Sequence, residues 1–124
     1  LQRWIAPGHW LPMRAVAAGL AEPSLLQDPA LAERAVALHH LILDAVLAGA
    51  DRGPDFRVLR QGLGYTISVV AVGDAQAGPG LLERLADSDD ADLRWIMREN
   101  LKKNRIRRLD EDWIARMEAL AGSK

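Results

Sequence analysis

Apolar residues recur at helical spacing along most of this chain, and Pro and Gly residues divide them into segments. The clearest segment runs from Asp28 to Ala48, where apolar residues are spaced three or four positions apart. Its apolar positions are Leu31, Ala35, Leu38, Ile42, Ala45 and Val46. This pattern predicts an amphipathic helix, with Asp28 as its N-cap and Pro29 in its first turn.

Five further helices are expected on the same grounds. Their ranges are about 12–21, 54–76, 81–86, 89–104 and 110–122. One stretch, 65–72, is rich in β-branched residues and also fits a buried strand, but a lone strand would have no partner elsewhere in the chain. Helix is therefore favoured, and Gly62 and Gly64 then mark a close contact between helices. Ser88 or Asp89 is expected to cap the helix predicted at about 89–104.

Composition supports an all-α fold and narrows the function classes. Of the 124 residues 49% are apolar, and 16 Lys and Arg against 17 Asp and Glu give a net charge of −1. The chain is thus too apolar for a disordered segment and too neutral for a typical dedicated nucleic-acid domain. It has no cysteine, which excludes disulfides, thiolate metal sites and cysteine nucleophiles and agrees with a cytoplasmic location. His39, His40 and Asp44 interrupt the most apolar stretch, so no membrane span is expected.

An internal repeat indicates the architecture. Asp55-Phe56-Arg57-Val58-Leu59-Arg60 aligns with Asp92-Leu93-Arg94-Trp95-Ile96-Met97. Helix pairs that repeat in this way stack on one another, because one pair has more apolar surface than it can bury alone. The segment 81–101, with its leucine-rich start, its acidic turn and Asp92-Leu93-Arg94, resembles a HEAT repeat. The resemblance implies antiparallel helix pairs stacked as a short α-solenoid that presents a surface to a partner.

These patterns divide the single domain, 1–124, into four parts. An N-terminal capping segment covers 1–27, and Trp4 and Trp10 either cap the first helix pair or face a segment beyond this sequence. The first helix pair covers 28–77 and the HEAT-like unit 78–108. A C-terminal capping helix covers 109–124. The chain begins with Leu1 rather than Met, so we expect it to be part of a longer protein.

Two segments also resemble the HEAT-like DNA alkylation repair proteins. They are the Trp10-Leu11-Pro12-Met13-Arg14 run and the Trp95-Ile96-Met97-Arg98 run. In that family such Trp and Arg side chains line a DNA-facing surface, so the resemblance implies a DNA-binding role for Trp10 and Arg14. The catalytic Asp of the family is missing, because Ala15 and Val16 follow Arg14. The resemblance therefore extends to backbone binding and not to base excision.

A basic ridge is the main candidate site. On one continuous helix, Arg94, Arg98, Lys102 and Arg105 fall on one side, with Trp95 beside them. An exposed indole among guanidinium groups is suited to anchor a protein partner or to stack on a base. The same residues also fit a solvated face with Trp95 packed against the next helix. Arg107 and Arg108 extend the positive charge along the chain, and in the nucleic-acid alternative they are expected to contact phosphates of the DNA backbone.

Other candidate chemistries are less specific. His40 and Asp44 are one helical turn apart, but two ligands do not complete a metal site, and a hydrogen-bonded core or edge histidine fits as well. The acidic run 87–92 lacks the pattern of a calcium loop and suits a helix cap. No spacing supports a catalytic triad or a cofactor site. We therefore expect a non-enzymatic scaffold or adaptor that binds a protein, with DNA-backbone binding as the alternative.

Overall fold

The computed structural model describes residues 5–49 and 51–123, and all regular structure within these ranges is helical. In chain order the helices are α1 (Trp10–Leu20), α2 (Pro29–Ala48), α3 (Pro54–Gly73), α4 (Gly78–Asp87), α5 (Ala91–Leu101), α6 (Asn104–Arg107) and α7 (Glu111–Ser123). A 3-10 turn, Leu25–Gln27, lies in the connector before α2. Trp4, for which the sequence left open a capping role or contact with a further segment, lies outside the described residues, as does Ala50.

Alternate helices stack on one another in two rows. The helix α3 is central, because α1 and α5 make the most extensive contacts with it, one before it and one after it in the chain. In the second row α4 contacts both α2 and α7. This order confirms the all-α, helical-repeat arrangement predicted from the sequence. None of the helices in the described ranges is both long enough and apolar enough to cross a bilayer.

The starts of α2 and α5 show how the chain specifies its helices. Asp28 Oδ1 accepts a hydrogen bond of 2.9 Å from the Ala30 amide, so the predicted cap of α2 is confirmed. The two predicted caps of α5, Ser88 and Asp89, lie two positions and one position before the residue that caps this helix. The capping side chain is Asp90, whose Oδ1 accepts hydrogen bonds from the Asp92 and Leu93 amides. Its extended backbone places the carboxylate over the first turn, whereas the Ser88 hydroxyl accepts from the Asp90 amide.

The ambiguous stretch 65–72 is helical. Its β-branched residues Thr66, Ile67 and Val70 are buried along the inner side of α3, which explains why tertiary packing favours a helix here. Gly64 marks the predicted close contact, since a Cβ at this position would lie 3.3 Å from the Cβ of Glu99 on α5. Gly62 marks a second one, 3.4 Å from Cγ of Arg14 on α1. The two glycines thus allow α5 and α1 to approach α3.

Two helices end earlier than the sequence predicts. α3 ends at Gly73, because the Asp74 carboxylate accepts hydrogen bonds from the Gln76 and Ala77 amides and holds a turn there. α5 ends at Leu101 rather than near residue 104. Lys103 then takes an extended conformation and begins α6. The predicted basic helix is therefore two helices, α5 and α6, and both contact α3.

Three residues expected to face inward lie nearer the surface. Leu31 and Leu120 are each 37% exposed, so they lie at the edge of the apolar stripes of α2 and α7. Trp113 is half-buried, and its indole Nε1 donates a hydrogen bond of 3.1 Å to Glu83 Oε1 on α4. The fully buried core includes Met13, Ile42, Leu59, Leu63, Ile67, Leu85, Leu93 and Ile96.

Candidate functional site

Arg94 does not belong to an exposed ridge. Its side chain is buried, and its guanidinium donates to the Ala121 carbonyl near the end of α7 at 2.5 Å. A second, longer bond of 3.5 Å reaches the Ser88 carbonyl. The expectation that Arg94 lies on an exposed ridge is corrected, because α7 packs over this side of α5 and the Ala121 carbonyl accepts a hydrogen bond from the guanidinium.

Trp95 is half-buried between α5 and α3. The guanidinium carbon of Arg60 lies 4.5 Å from the centre of the indole, in cation–π geometry. The same Arg60 forms an ion pair of 2.9 Å with Asp92, and the indole lies beside Gly64. Of the two interpretations left open by the sequence, packing against a neighbouring helix is the one found. Trp95 thus keeps only part of its surface exposed to solvent.

The remaining cations of the ridge lie on two different surfaces. Arg98, Lys102 and Arg107 line a shallow depression of about 500 Å³ between α5 and α7. Two of them are already paired, Lys102 with Glu99 at 2.7 Å and Arg107 with Glu118 at 3.0 Å. Arg98 is exposed, as is Arg108.

Arg105, on α6, contacts α3 rather than the depression between α5 and α7. Its guanidinium carbon lies 5.1 Å from the centre of the Tyr65 ring, and its Nη1 donates a hydrogen bond of 2.9 Å to Ser68 Oγ. The Ser68 hydroxyl in turn donates to the Tyr65 carbonyl at 2.8 Å. Arg105 is therefore separated from Arg98 and holds Tyr65, which is 48% exposed, in a defined orientation.

Trp10 and Arg14 have opposite environments although they are one turn apart. Trp10 is only 3% exposed, and its Nε1 donates a hydrogen bond of 2.9 Å to the Asp51 carbonyl. Its ring also meets Phe56 edge to face at 5.3 Å. The expectation of a solvent-facing Trp10 that binds DNA is thus corrected. Arg14 is exposed, as predicted, and lies across Gly62.

A groove lies between α1 and α3 and is lined mainly by uncharged residues. It has a volume of about 490 Å³. The lining residues are Arg14, Ala18, Ala21, Val58, Gln61, Gly62, Tyr65 and Thr66. Val58 is 41% exposed, so together with Tyr65 it leaves a considerable apolar area open to solvent. Among the described residues that line the groove, Arg14 is the one that carries a charge.

A buried histidine fixes the floor of this groove. The Nδ1 of His39 lies 2.9 Å from the Ala35 carbonyl, an acceptor, so this nitrogen carries the proton. Its Nε2 therefore accepts a hydrogen bond of 3.1 Å from the Thr66 hydroxyl. Burial lowers the pKa of His39 to about 4, and the bond to the Ala35 carbonyl offsets this only in part. His39 is thus neutral near pH 7 and serves as a core hydrogen-bonding group.

His40 and Asp44 do not form a metal site. Arg84 lies between them, with Nη1 at 3.0 Å from His40 Nδ1 and Nη2 paired with Asp44. Burial and the nearby Arg84 charge lower the pKa of His40. Throughout the described ranges, no group of three or more candidate ligands is placed to hold a metal ion.

The acidic run before α5 is structural as well. Arg52 donates to both Asp90 oxygens and to Asp92, with distances between 2.7 and 3.0 Å. Partial burial raises the pKa of Asp90, but the bonds from Arg52 and the Leu93 amide outweigh it and hold that pKa below its usual value. The sequence interpretation of a helix cap is thus confirmed, with Arg52 as an added partner.

Sequence reasoning missed Asn100, a fully buried polar residue on α5. Its Oδ1 accepts a hydrogen bond of 2.8 Å from the Ser68 amide, and its Nδ2 donates to the carbonyls of Leu63 at 3.0 Å and Ile96 at 2.7 Å. A signal was available, because position 100 follows Leu93, Ile96 and Met97 at the spacing of the buried stripe. Asn100 fixes the turn of α3 that carries Tyr65.

We compared the chain with protein-family models, with curated proteins and with solved structures, and none of the three comparisons found a match.

Proposed function

We propose that this chain is a non-catalytic, HEAT-like helical-repeat adaptor that binds a protein partner through the row formed by α1, α3 and α5. The observation that carries the proposal is the groove between α1 and α3, where Val58 and Tyr65 are 41% and 48% exposed beside Arg14. Exposed apolar side chains that cluster in a concave, partly polar setting are typical of protein interaction sites.

The contacts of Tyr65 support this function. Tyr and Arg are the residue types most enriched among interface residues that dominate binding energy. Here Arg105 stacks on the Tyr65 ring and donates to Ser68, so the ring is oriented before any partner arrives. Pre-organisation of this kind lowers the entropy lost on association.

The proposed surface keeps part of the basic ridge and omits the rest. Arg105 borders the groove through Tyr65, whereas Arg98, Lys102 and Arg107 line the separate depression between α5 and α7. Arg94 and Trp95 act as packing residues in this proposal. We also propose a cytoplasmic location, for which the cysteine-free composition is the support.

Site-directed photocross-linking tests the proposed function. Benzoylphenylalanine placed at Gln61 lies in the groove, and the same group at Ala37 lies on the exposed side of α2 in the other row. We expect a protein from the source cell to cross-link at position 61 and not at position 37. Equal cross-linking at both positions, or none at position 61, would contradict the proposal.

DNA-backbone binding is the second candidate. Four cations near the α5–α6 junction, Arg98, Lys102, Arg107 and Arg108, are exposed to solvent. If they contact phosphates, affinity for duplex DNA falls steeply with salt, since each phosphate contact contributes a slope of about −0.9 in log affinity against log salt. The double variant Arg98→Glu/Arg108→Glu is expected to abolish this binding. Salt-independent binding, or binding unchanged in the variant, would exclude the candidate.

A further inference from the structure

We infer that the groove between α1 and α3 binds a short acidic amphipathic helix of the partner, with apolar side chains against Val58 and Tyr65 and a carboxylate on Arg14. This inference rests on the proposed adaptor function and specifies the chemistry of the partner. It depends on the charge, the length and the small residues of the groove.

Charge selects an acidic ligand. Arg14 lines the groove, and none of the other lining residues in the described part of the chain is an acid. Arg14 is exposed, and no hydrogen bond or ion pair joins it to another described residue, so its donors are available. Arg105 adds a second positive charge at the Tyr65 wall. A carboxylate is the natural complement, because a guanidinium binds it through two parallel hydrogen bonds.

The dimensions of the groove suit about two turns of helix. On α3 the lining residues run from Val58 to Thr66, a rise of about 12 Å at 1.5 Å per residue. On the other wall they run from Arg14 on α1 to Ala21, the residue that follows this helix, about 10 Å. A ligand helix of this length presents apolar anchors at positions i and i+7, about 10.5 Å apart, which matches the separation of Val58 and Tyr65 along α3.

Small residues permit a helix backbone to approach closely. Ala18 and Ala21 lie on the α1 side of the groove, whereas Gly62 on the α3 side is already covered by the Arg14 side chain. The chain uses small residues in this way internally, since Gly64 brings Glu99 and Trp95 of α5 against α3. The groove thus has room for a further helix along its α1 side, where Ala18 and Ala21 have no side-chain atoms beyond Cβ.

Designed peptides of known composition test the inference. Three capped peptides of about fourteen residues share one Leu/Ala stripe and carry Glu, Gln or Lys beside it. Binding is measured by fluorescence anisotropy to the wild type, to Arg14→Gln and to Arg34→Gln, a matched control on the exposed side of α2. We expect the Glu peptide to bind about tenfold more tightly than the Gln peptide. Arg14→Gln should remove that difference, and Arg34→Gln should keep it.

A charge-reversal variant distinguishes a specific change in peptide preference from a general loss of binding. Arg14→Glu should prefer the Lys peptide over the Glu peptide, a gain that a misfolded variant cannot show. The inference fails if the Glu and Gln peptides bind equally, or if Arg14→Gln and Arg34→Gln behave alike. It also fails if Arg14 binds a different kind of anion. In that case a short DNA duplex, or the fatty-acid anion decanoate, binds to the wild type and not to Arg14→Gln, while none of the three peptides binds.

The two levels of the account fail separately. Cross-linking of a protein at position 61 combined with no preference for the Glu peptide would leave the adaptor function standing and overturn the acidic helix. Absence of any cross-linked protein would overturn the adaptor function, whatever the peptides do.

Discussion

The side-chain oxygen of Asn100 accepts a hydrogen bond of 2.8 Å from the backbone amide of Ser68, in the middle of α3. The amide nitrogen of the same side chain donates to the Leu63 carbonyl, one turn earlier. Asn100 thus joins α5 to two points of the α3 backbone. Tyr65 and the Ser68 hydroxyl, which accepts a hydrogen bond from Arg105, lie in this part of α3. The wall of the groove therefore depends on Asn100, although Asn100 does not line the groove.

Replacing Asn100 tests the importance of this link. Asn100→Leu removes three buried hydrogen bonds and leaves the Ser68 amide without its partner, so the free energy of unfolding should fall by about 3 kcal/mol. Urea denaturation measures it. The control Asn104→Leu, at an exposed position, should change it by less than about 0.5 kcal/mol. Equal effects would show that the link to α3 is not important for stability.

Stability should depend on pH through His39. Its pKa in the folded protein, about 4, lies below the ordinary value of 6.5, so the unfolded chain binds the proton more tightly. The stabilisation is complete above pH 6.5 and is lost as the pH falls toward 4, by about 3 kcal/mol at most.

Denaturation midpoints between pH 4 and 7 check this dependence. His39→Gln keeps a donor for Ala35 without a titrating ring and should be clearly less sensitive to pH than the wild type. His9→Gln, at an exposed position, should follow the wild type. Parallel pH profiles for the wild type and His39→Gln would contradict the assignment.

Two glycines in the first turn of α4 should respond in opposite directions. A Cβ on Gly78 would lie 1.9 Å from the Ala71 carbonyl oxygen, so Gly78→Ala forces α3 and α4 apart and should cost about 3 kcal/mol. Gly80 has no atom within 4 Å of its added Cβ, and Gly80→Ala should stabilise the fold by about 0.5 kcal/mol. Thermal unfolding distinguishes the two, and a stable Gly78→Ala would refute the packing of these helices.

Arg94 and Arg98 should differ although they occupy the same face of the predicted helix. Arg94→Met keeps the buried stem but loses the bond to Ala121, so α7 should be destabilised by about 2 kcal/mol. Hydrogen exchange of the α7 amides measures this local effect. Arg98→Met, at an exposed position, serves as the control and should leave exchange unchanged. If the α7 amides exchange at the same rate in both variants, the hydrogen bond from Arg94 to α7 is contradicted.

The helical fold could be predicted because its signals are local. The cap at Asp28 and Pro29 in the first turn each act within a few residues, and the structure contains both. The choice of helix over strand at 65–72 also followed from the chain, since no second strand was present to pair with it.

The candidate site could be predicted only in part because it depends on contacts distant in sequence. Arg94 is buried by α7 and Trp95 is covered by Arg60, neither of which the α5 pattern reveals. Because the helix is interrupted at Lys103, Arg105 lies on α6, where it contacts Tyr65 and is not on the surface that carries Arg98. The groove itself lies between α1 and α3, so a helix-by-helix pattern could not locate it.

Titration of the protein that cross-links at position 61 tests the central claim most directly. Val58→Ser alters the groove, and Leu41→Ser alters α2 in the other row at a similar exposure, 36% against 41%. If the partner binds through the groove, Val58→Ser should weaken its affinity about tenfold and Leu41→Ser should leave it unchanged. Equal affinities for the two variants, or a loss confined to Leu41→Ser, would contradict the assignment of the α1–α3 groove as the binding site.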